Sequence, residues 1–172
     1  MNLLPQTYLL GLVGLLAIVA VVVGRQFFRV RRDEARLIEL EKSDTALSRQ
    51  ASDLYELGSV QLRKRLYPQA AATLKQALKR LSGEPDEARA LIENALGFAL
   101  AAQKDYSGAT KHYKLALKAK KDYPVALNNL AFAQEKLLKD AEAISLYEQT
   151  LSIEPENATA KKGLKKLKRR MN

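Results

Sequence analysis

With 172 residues, no cysteine, a single histidine (His112) and a net charge of +10, the chain excludes several chemistries at once. A disulfide framework, a thiol nucleophile and a Cys- or His-rich metal centre all fail on composition. All 19 acidic residues fall between positions 33 and 156 together with 18 basic ones, leaving that body almost neutral. The surplus positive charge sits at 25–32 and 161–170, so it speaks of ends and surfaces rather than a generally basic protein.

Residues 1–24 carry no charged side chain. Positions 7–24 alone give about 27 Å of helix, enough to cross most of a bilayer. Eleven of them are Leu, Ile or Val, which together favour insertion by roughly 3–7 kcal/mol before glycine and polar costs. Tyr8 suits an interface. A cleaved signal peptide is the rival reading, with Val22-Val23-Gly24 a passable cleavage site, but nothing basic precedes the run and Arg25 follows at once. Arg25, Arg29, Arg31 and Arg32 form a membrane-surface set and place that side in the cytoplasm or the stroma. The expectation is one transmembrane anchor over 1–24, a short tail outside and the rest inside. Gly11 and Gly14 lack the four-residue spacing that favours close helix pairs.

Across 25–50, Phe27, Phe28 and Val30 interleave with the arginines, as at a helix end settling into anionic headgroups. Ala35, Leu37, Ile38, Leu40 and Leu47 then recur at near-helical spacing. With no Pro or Gly to interrupt it, this segment reads as a helical stalk whose role is spacing, with Ser43-Asp44 as a candidate break and cap.

The body, 51–157, reads as repeats of a 34-residue unit. Leu96-Gly97 falls over Leu130-Ala131, Ala109 over Ala143, Tyr113 over Tyr147 and Asn94 over Asn128. A weaker upstream copy contains Leu57-Gly58, Ala70 and Leu74, so the repeats span 51–84, 90–123 and 124–157. This spacing, Leu-Gly followed by Ala-x3-aromatic and a closing Pro, resembles the tetratricopeptide (TPR) pattern. Each unit is then two antiparallel helices, and neighbours must stack to bury their apolar stripes. Gly58, Gly97 and Ala131 let a partner helix come close, while Leu74, Tyr113 and Tyr147 fill the space between hairpins. Gly83 reads as a C-cap, Asp86 as an N-cap, 104–108 as a hairpin turn, and Pro124 as a first-turn proline. Pro68 falls within a turn or at the start of a second helix.

Residues 158–172 place Ala160, Leu164 and Leu167 on one stripe with lysines elsewhere, which fits a basic capping helix. The fold class expected is all-α: an N-terminal transmembrane helix, a three-repeat superhelical array and a C-terminal cap.

Such hairpins curl with the first helix of each on the concave side. Tyr55, Asn94, Phe98, Asn128, Asn129 and Phe132 fall on those first helices and form the candidate protein-binding groove. Asn carboxamides can both donate to and accept from a peptide backbone, and neither Asn94 nor Asn128 has an evident packing need for an amide. Phe98 and Phe132 supply apolar sites in the groove; a buried structural role is the alternative. TPR proteins that clamp a peptide carboxylate use Lys and Asn on the first repeat. Tyr55 and Ser59 stand there instead, which argues against carboxylate capture. No catalytic residue, metal ligand, cofactor or small-molecule partner is expected: His112 lacks a Ser or Asp partner, and no Gly-rich phosphate loop is present.

The segments YELGSVQLRKRLYPQAAATLKQAL, ENALGFALAAQKDYSGATKHYKLALK and ALNNLAFAQEKLLKDAEAISLYEQTLSIEPENATAKKGLKKL, combined with the anchor and its arginine-rich exit, resemble one particular family. It is the membrane-anchored TPR factor of cyanobacteria and plastids needed for photosystem I assembly. The resemblance implies a thylakoid-anchored scaffold that holds photosystem I subunits or intermediates on the cytoplasmic or stromal side. The absence of a transit peptide points to a cyanobacterial or plastid-encoded version. Ala131 in place of Gly, and Thr150 where the other repeats have Ala77 and Ala116, depart from the pattern. The alternatives are an anchored scaffold for another envelope or secretion complex, and a membrane-surface nucleic-acid tether acting through 161–170. No aromatic interleaves with those lysines for base stacking, so nucleic acid is not the expected partner.

Overall fold

A computed structural model describes residues 4–42, 50–83 and 85–171, in two units, 1–44 and 45–172. The first unit is one unbroken helix, α1 (Leu4–Lys42), of 39 residues. The apolar run therefore continues through the arginines to Lys42 without a break in the helix. Its described Leu, Ile, Val and Phe side chains from Leu10 to Val30 lie open, Leu10 at 72% and Val22 at 60%, so this unit offers them no core. Among the described residues α1 is the helix long and apolar enough to cross a membrane. Ser43-Asp44 and Leu47 lie outside the described residues.

The second unit contains α2 (Ala51–Arg63), α3 (Tyr67–Arg80), α4 (Asp86–Ala102), α5 (Tyr106–Ala119), α6 (Pro124–Lys136), α7 (Asp140–Ile153) and α8 (Ala158–Met171). Helices pair as α2–α3, α4–α5 and α6–α7, and each pair packs on the next. In addition α2 touches α4, α4 touches α6 and α6 touches α8, whereas α3, α5 and α7 do not touch one another. First helices that converge while second helices splay define an inner and an outer layer, which is the geometry of a curved TPR stack.

Close approach within each hairpin depends on the small residue. A Cβ placed on Gly58 would lie 2.7 Å from Leu74 Cγ, and one on Gly97 only 2.6 Å from Tyr113 Cε1. Leu74 and Tyr113 thus fill space within their own hairpins rather than only between hairpins. The third hairpin accommodates a methyl: Ala131 is fully buried beside Tyr147. Tyr147 also receives Gly163 of α8, where again no side chain would fit. Burial pushes the Tyr147 hydroxyl up to about 12. Thr150 is fully buried, and its hydroxyl donates to Leu146 O at 3.0 Å, so the polar group replacing alanine is satisfied.

Helix ends differ in detail from the sequence reading. Asp86 is the first residue of α4 and Pro85 the cap, while α3 is capped by Leu81 with Gly83 (φ +73°) two residues further on. Proline has no N–H, so it can stand ahead of α4 without losing a helical bond. The middle hairpin turn is only 103–105, because Asp105 caps α5 by accepting from Gly108 N at 2.8 Å. Pro68 is the second residue of α3 and Pro124 the first of α6.

The three hairpin turns share one construction. The N–H groups of Leu66, Asp105 and Lys139 donate to Gln61, Leu100 and Gln134 O, five residues back, at 2.9–3.0 Å. The residue before each donor is left-handed: Arg65 (φ 60°), Lys104 (φ 68°) and Leu138 (φ 61°). This is the helix-ending motif that favours glycine. Leu138 is 82% exposed, so its side chain returns nothing for the strain. Leu138→Gly is expected to stabilise the body by about 0.5–1 kcal/mol, the left-handed cost less glycine's extra entropy. Chemical denaturation checks this; a lower midpoint would show that Leu138 has a contact that repays the backbone.

Candidate functional site

The inner layer bears an apolar stripe that recurs with the repeat. Of the large apolar side chains of the second unit that are exposed, four fall at two equivalent positions of α4 and α6. Leu91 (41%) and Val125 (53%) form one pair, Phe98 (45%) and Phe132 (42%) the other. Within each helix the two lie seven residues apart and so share a face. Such residues exposed at repeat-equivalent sites are a surface feature, not leaked core. The phenylalanines are therefore not the buried structural residues of the alternative reading. Leu91 and Val125 escaped the sequence reading, although the same 34-residue offset that flagged Phe98 and Phe132 would have found them.

Phe132 is held in place from two sides. The Tyr106 ring meets it edge-on at 6.3 Å between centroids, and Lys136 Nζ lies 5.2 Å from its centroid. Tyr55 is half-buried at the first-repeat end, in an apolar pocket with Ala51, Leu81, Ala88, Leu91 and Ile92. That pocket extends the stripe across α2 and α4.

The asparagines correct the view that their positions need no amide. Asn94 Nδ2 donates to the Tyr123 hydroxyl at 3.4 Å and accepts at Oδ1 from Asn129 Nδ2 at 3.0 Å. Asn128 Nδ2 donates to Asn157 Oδ1 at 3.0 Å, and Asn157 in turn accepts from Ala160 N at the start of α8. The second and third repeats thus each reach from their first helix to the residue preceding the next inner helix, 29 positions on. These bonds tie repeat to repeat and fix the spacing of the inner wall. Asn128 is only 8% exposed, while Asn94 and Asn129 are half-buried and partly face the stripe. The periodicity that marked these residues could not separate a stacking bond from a ligand contact.

His112 is on α5, and its Nδ1 lies 2.7 Å from Oε2 of Glu93 on α4, which is 4% exposed. The pair joins the two helices of the middle hairpin; sequence spacing did not reveal it because the partners are 19 residues apart. No cluster of three or more potential metal ligands occurs among the described residues. On α1, Arg25, Arg29, Arg31 and Arg32 are exposed, the Arg31 guanidinium lies 5.7 Å from the Phe27 centroid, and Phe27 meets Phe28 edge-on.

No family model matches the chain. It is 32% identical over 155 residues to the tetratricopeptide repeat domain-containing protein PYG7, chloroplastic, of Arabidopsis thaliana, across 90% of this chain and 51% of that protein. The chain thus spans about half the length of that relative. It is 30% identical over 158 residues to the uncharacterized protein ycf37 of Guillardia theta, across 92% of this chain and 89% of that protein. Among solved structures it is similar to the first TPR of Spaghetti (RPAP3) bound to an HSP90 peptide, SRMEEVD. That match has a TM-score of 0.66 and 23% identity over 71% of this chain and 93% of that one. At that identity the likeness shows the fold.

Proposed function

The chain belongs to the family of ycf37, a family of TPR proteins, and from that premise we propose that it is a membrane-anchored scaffold that holds a protein client in the assembly or stabilisation of photosystem I. The client segment lies along the inner wall of the stack, against Tyr55, Leu91, Phe98, Val125 and Phe132, with Asn94, Asn128 and Asn129 setting the wall's spacing and offering what amide capacity remains. The observation that carries this reading is the pair of repeat-equivalent apolar positions left open on α4 and α6. The related fold of Spaghetti, bound to a peptide, supports use of such a wall for an extended segment. Arg25, Arg29, Arg31 and Arg32 rest on the membrane surface and orient the anchor, with the repeats on the cytoplasmic or stromal side of the thylakoid. Anchoring confines both partners to two dimensions, so a modest groove affinity suffices. The plastid relatives favour photosystem I over another envelope or secretion complex.

A nucleic-acid tether through α8 is less well supported. Lys161 is engaged by Glu156, Lys166 by Glu135 and Arg170 by Asp140, which leaves fewer cations for phosphate.

Affinity capture of the full chain from detergent-solubilised thylakoids tests the reading. Wild type should recover photosystem I polypeptides, and Phe98→Ala/Phe132→Ala should lower recovery at least about thirtyfold, two anchors at about 1 kcal/mol or more each. Both rings are exposed, so the melting temperature should hold. Recovery of a different complex alone would overturn the photosystem assignment. Undiminished recovery by the double variant would overturn the inner wall as the site.

A further inference from the structure

We propose that the client segment recognised by the inner wall is acidic as well as apolar, its acidic residues lying over the α6–α8 side. This rests on the groove reading above and adds to it the chemistry of the occupant.

The 34-residue register carries the two rows of the wall onto α8 with a change of character. Phe98 and Phe132 are followed by Lys166, and Asn94 and Asn128 by Lys162. Lys136 stands one turn beyond Phe132 on α6, with its ammonium over the ring. At this end of the wall Lys136, Lys162, Lys166 and Arg170 are met by two carboxylates. Glu135 takes Lys166, and Asp140 takes Arg170. Lys136 and Lys162 are exposed and have no carboxylate partner among the described residues. Between Leu91 and Phe132 the inner positions of α4 and α6 are apolar or amide, so no acidic group there repels an anionic ligand.

A segment seated on Leu91, Phe98, Val125 and Phe132 therefore continues towards uncompensated positive charge. Lys136 is also adjacent to a desolvating ring, where a bound carboxylate is screened less than at an open surface. A basic continuation of the segment would meet like charge and be rejected. The cations lie along helix faces rather than converging on one point, so internal Asp or Glu side chains fit them, and a terminal carboxylate is not required.

The test is selection of a random dodecapeptide library, displayed through its C-terminus so that no free carboxylate is present, on the full chain in nanodiscs. Enriched peptides should combine two or more large apolar residues with two or more Asp or Glu. One of them, synthesised with an amidated C-terminus, should bind at least tenfold more weakly to Lys136→Glu/Lys162→Glu, and also more weakly to Phe98→Ala/Phe132→Ala. Apolar peptides without acidic enrichment, or affinity indifferent to the charge reversals, would overturn the acidic assignment while dependence on the phenylalanines kept the groove. Indifference to both pairs of substitutions, or no enrichment over the naive library, would overturn the groove reading as well.

Discussion

Tyr113→Ala is expected to cost about 3–5 kcal/mol of unfolding free energy, the range for removing a buried aromatic from a core that cannot collapse around the void. Tyr113 is 1% exposed and sits at the junction of three helices. Its ring occupies the space in front of Gly97 on α4 and packs with Ala109 on α5 and with Leu130 and Ala133 on α6. Burial also pushes its hydroxyl well above the ordinary tyrosine range, as for a group with little water near it. Collapse is restricted because the walls of the void include Gly97, Ala109 and Ala133, short residues that hold helix backbones at fixed distances, and Leu130 alone cannot fill the space of a ring. The residue belongs to the middle hairpin, and a stack is stabilised by nearest-neighbour interfaces, so the loss uncouples the first repeat from the third. The unfolding transition should therefore broaden as well as shift. Tyr113→Phe, which keeps the ring, should stay within about 1.5 kcal/mol of wild type. Urea titration of the full chain in mild detergent, followed by circular dichroism, measures both variants. A cost below about 1 kcal/mol for Tyr113→Ala would mean that the middle hairpin does not organise the stack.

The repeat body was legible because its packing is local and periodic. One offset of 34 residues places Gly97 and Tyr113 in one hairpin and their counterparts Ala131 and Tyr147 in the next. The same offset continues into α8, where Ala160 and Leu167 are fully buried as the stripe required. Periodicity reports which positions are equivalent, and it is silent on what an equivalent polar residue does. Asn94 and Asn128 were marked by recurrence, yet their partners Tyr123 and Asn157 lie in the connections between repeats. Those connections carry no repeat signal of their own. The Glu93–His112 pair was hidden for a related reason: it depends on how far α5 rotates against α4, which the small residues at the hairpin seam set and no one-dimensional pattern records. Leu91 and Val125 show the opposite case. Their open positions were available from the offset, but apolar residues on an amphipathic helix read first as core. Only the convergence of α2, α4, α6 and α8 into an inner layer makes them surface.

Leu15→Arg/Ile18→Arg in α1 is expected to release the full chain from membranes. Each arginine at the centre of a span costs roughly 2.5–3.5 kcal/mol on the insertion scale, so the pair costs about 5–7 kcal/mol. The eleven Leu, Ile and Val residues between positions 7 and 24 contribute only about 3–7 kcal/mol before other costs, and the substitution removes two of them. The balance therefore changes sign. Both positions are exposed on a helix with no core to bury them, at 58% and 64%, so the substitutions leave the helix intact and act on its surroundings alone. Helix length adds a second constraint. At about 1.5 Å per residue, α1 extends to about 58 Å, roughly twice the hydrocarbon thickness, so an arginine near position 15 cannot reach water without drawing the span out of register. The four arginines from 25 to 32 resist that shift, since moving the helix inward would bury them. Leu15→Ala/Ile18→Ala removes the same apolar volume without charge and should remain in the carbonate-washed membrane pellet, whereas the double arginine variant should move to the supernatant. Retention of the arginine variant would overturn this insertion balance, whereas release of wild type itself by carbonate would mean that α1 does not span the bilayer and that the chain is held by the 25–32 surface contact. Under that outcome Arg29→Glu/Arg32→Glu, rather than any change in the apolar run, would be the substitution that sets it free.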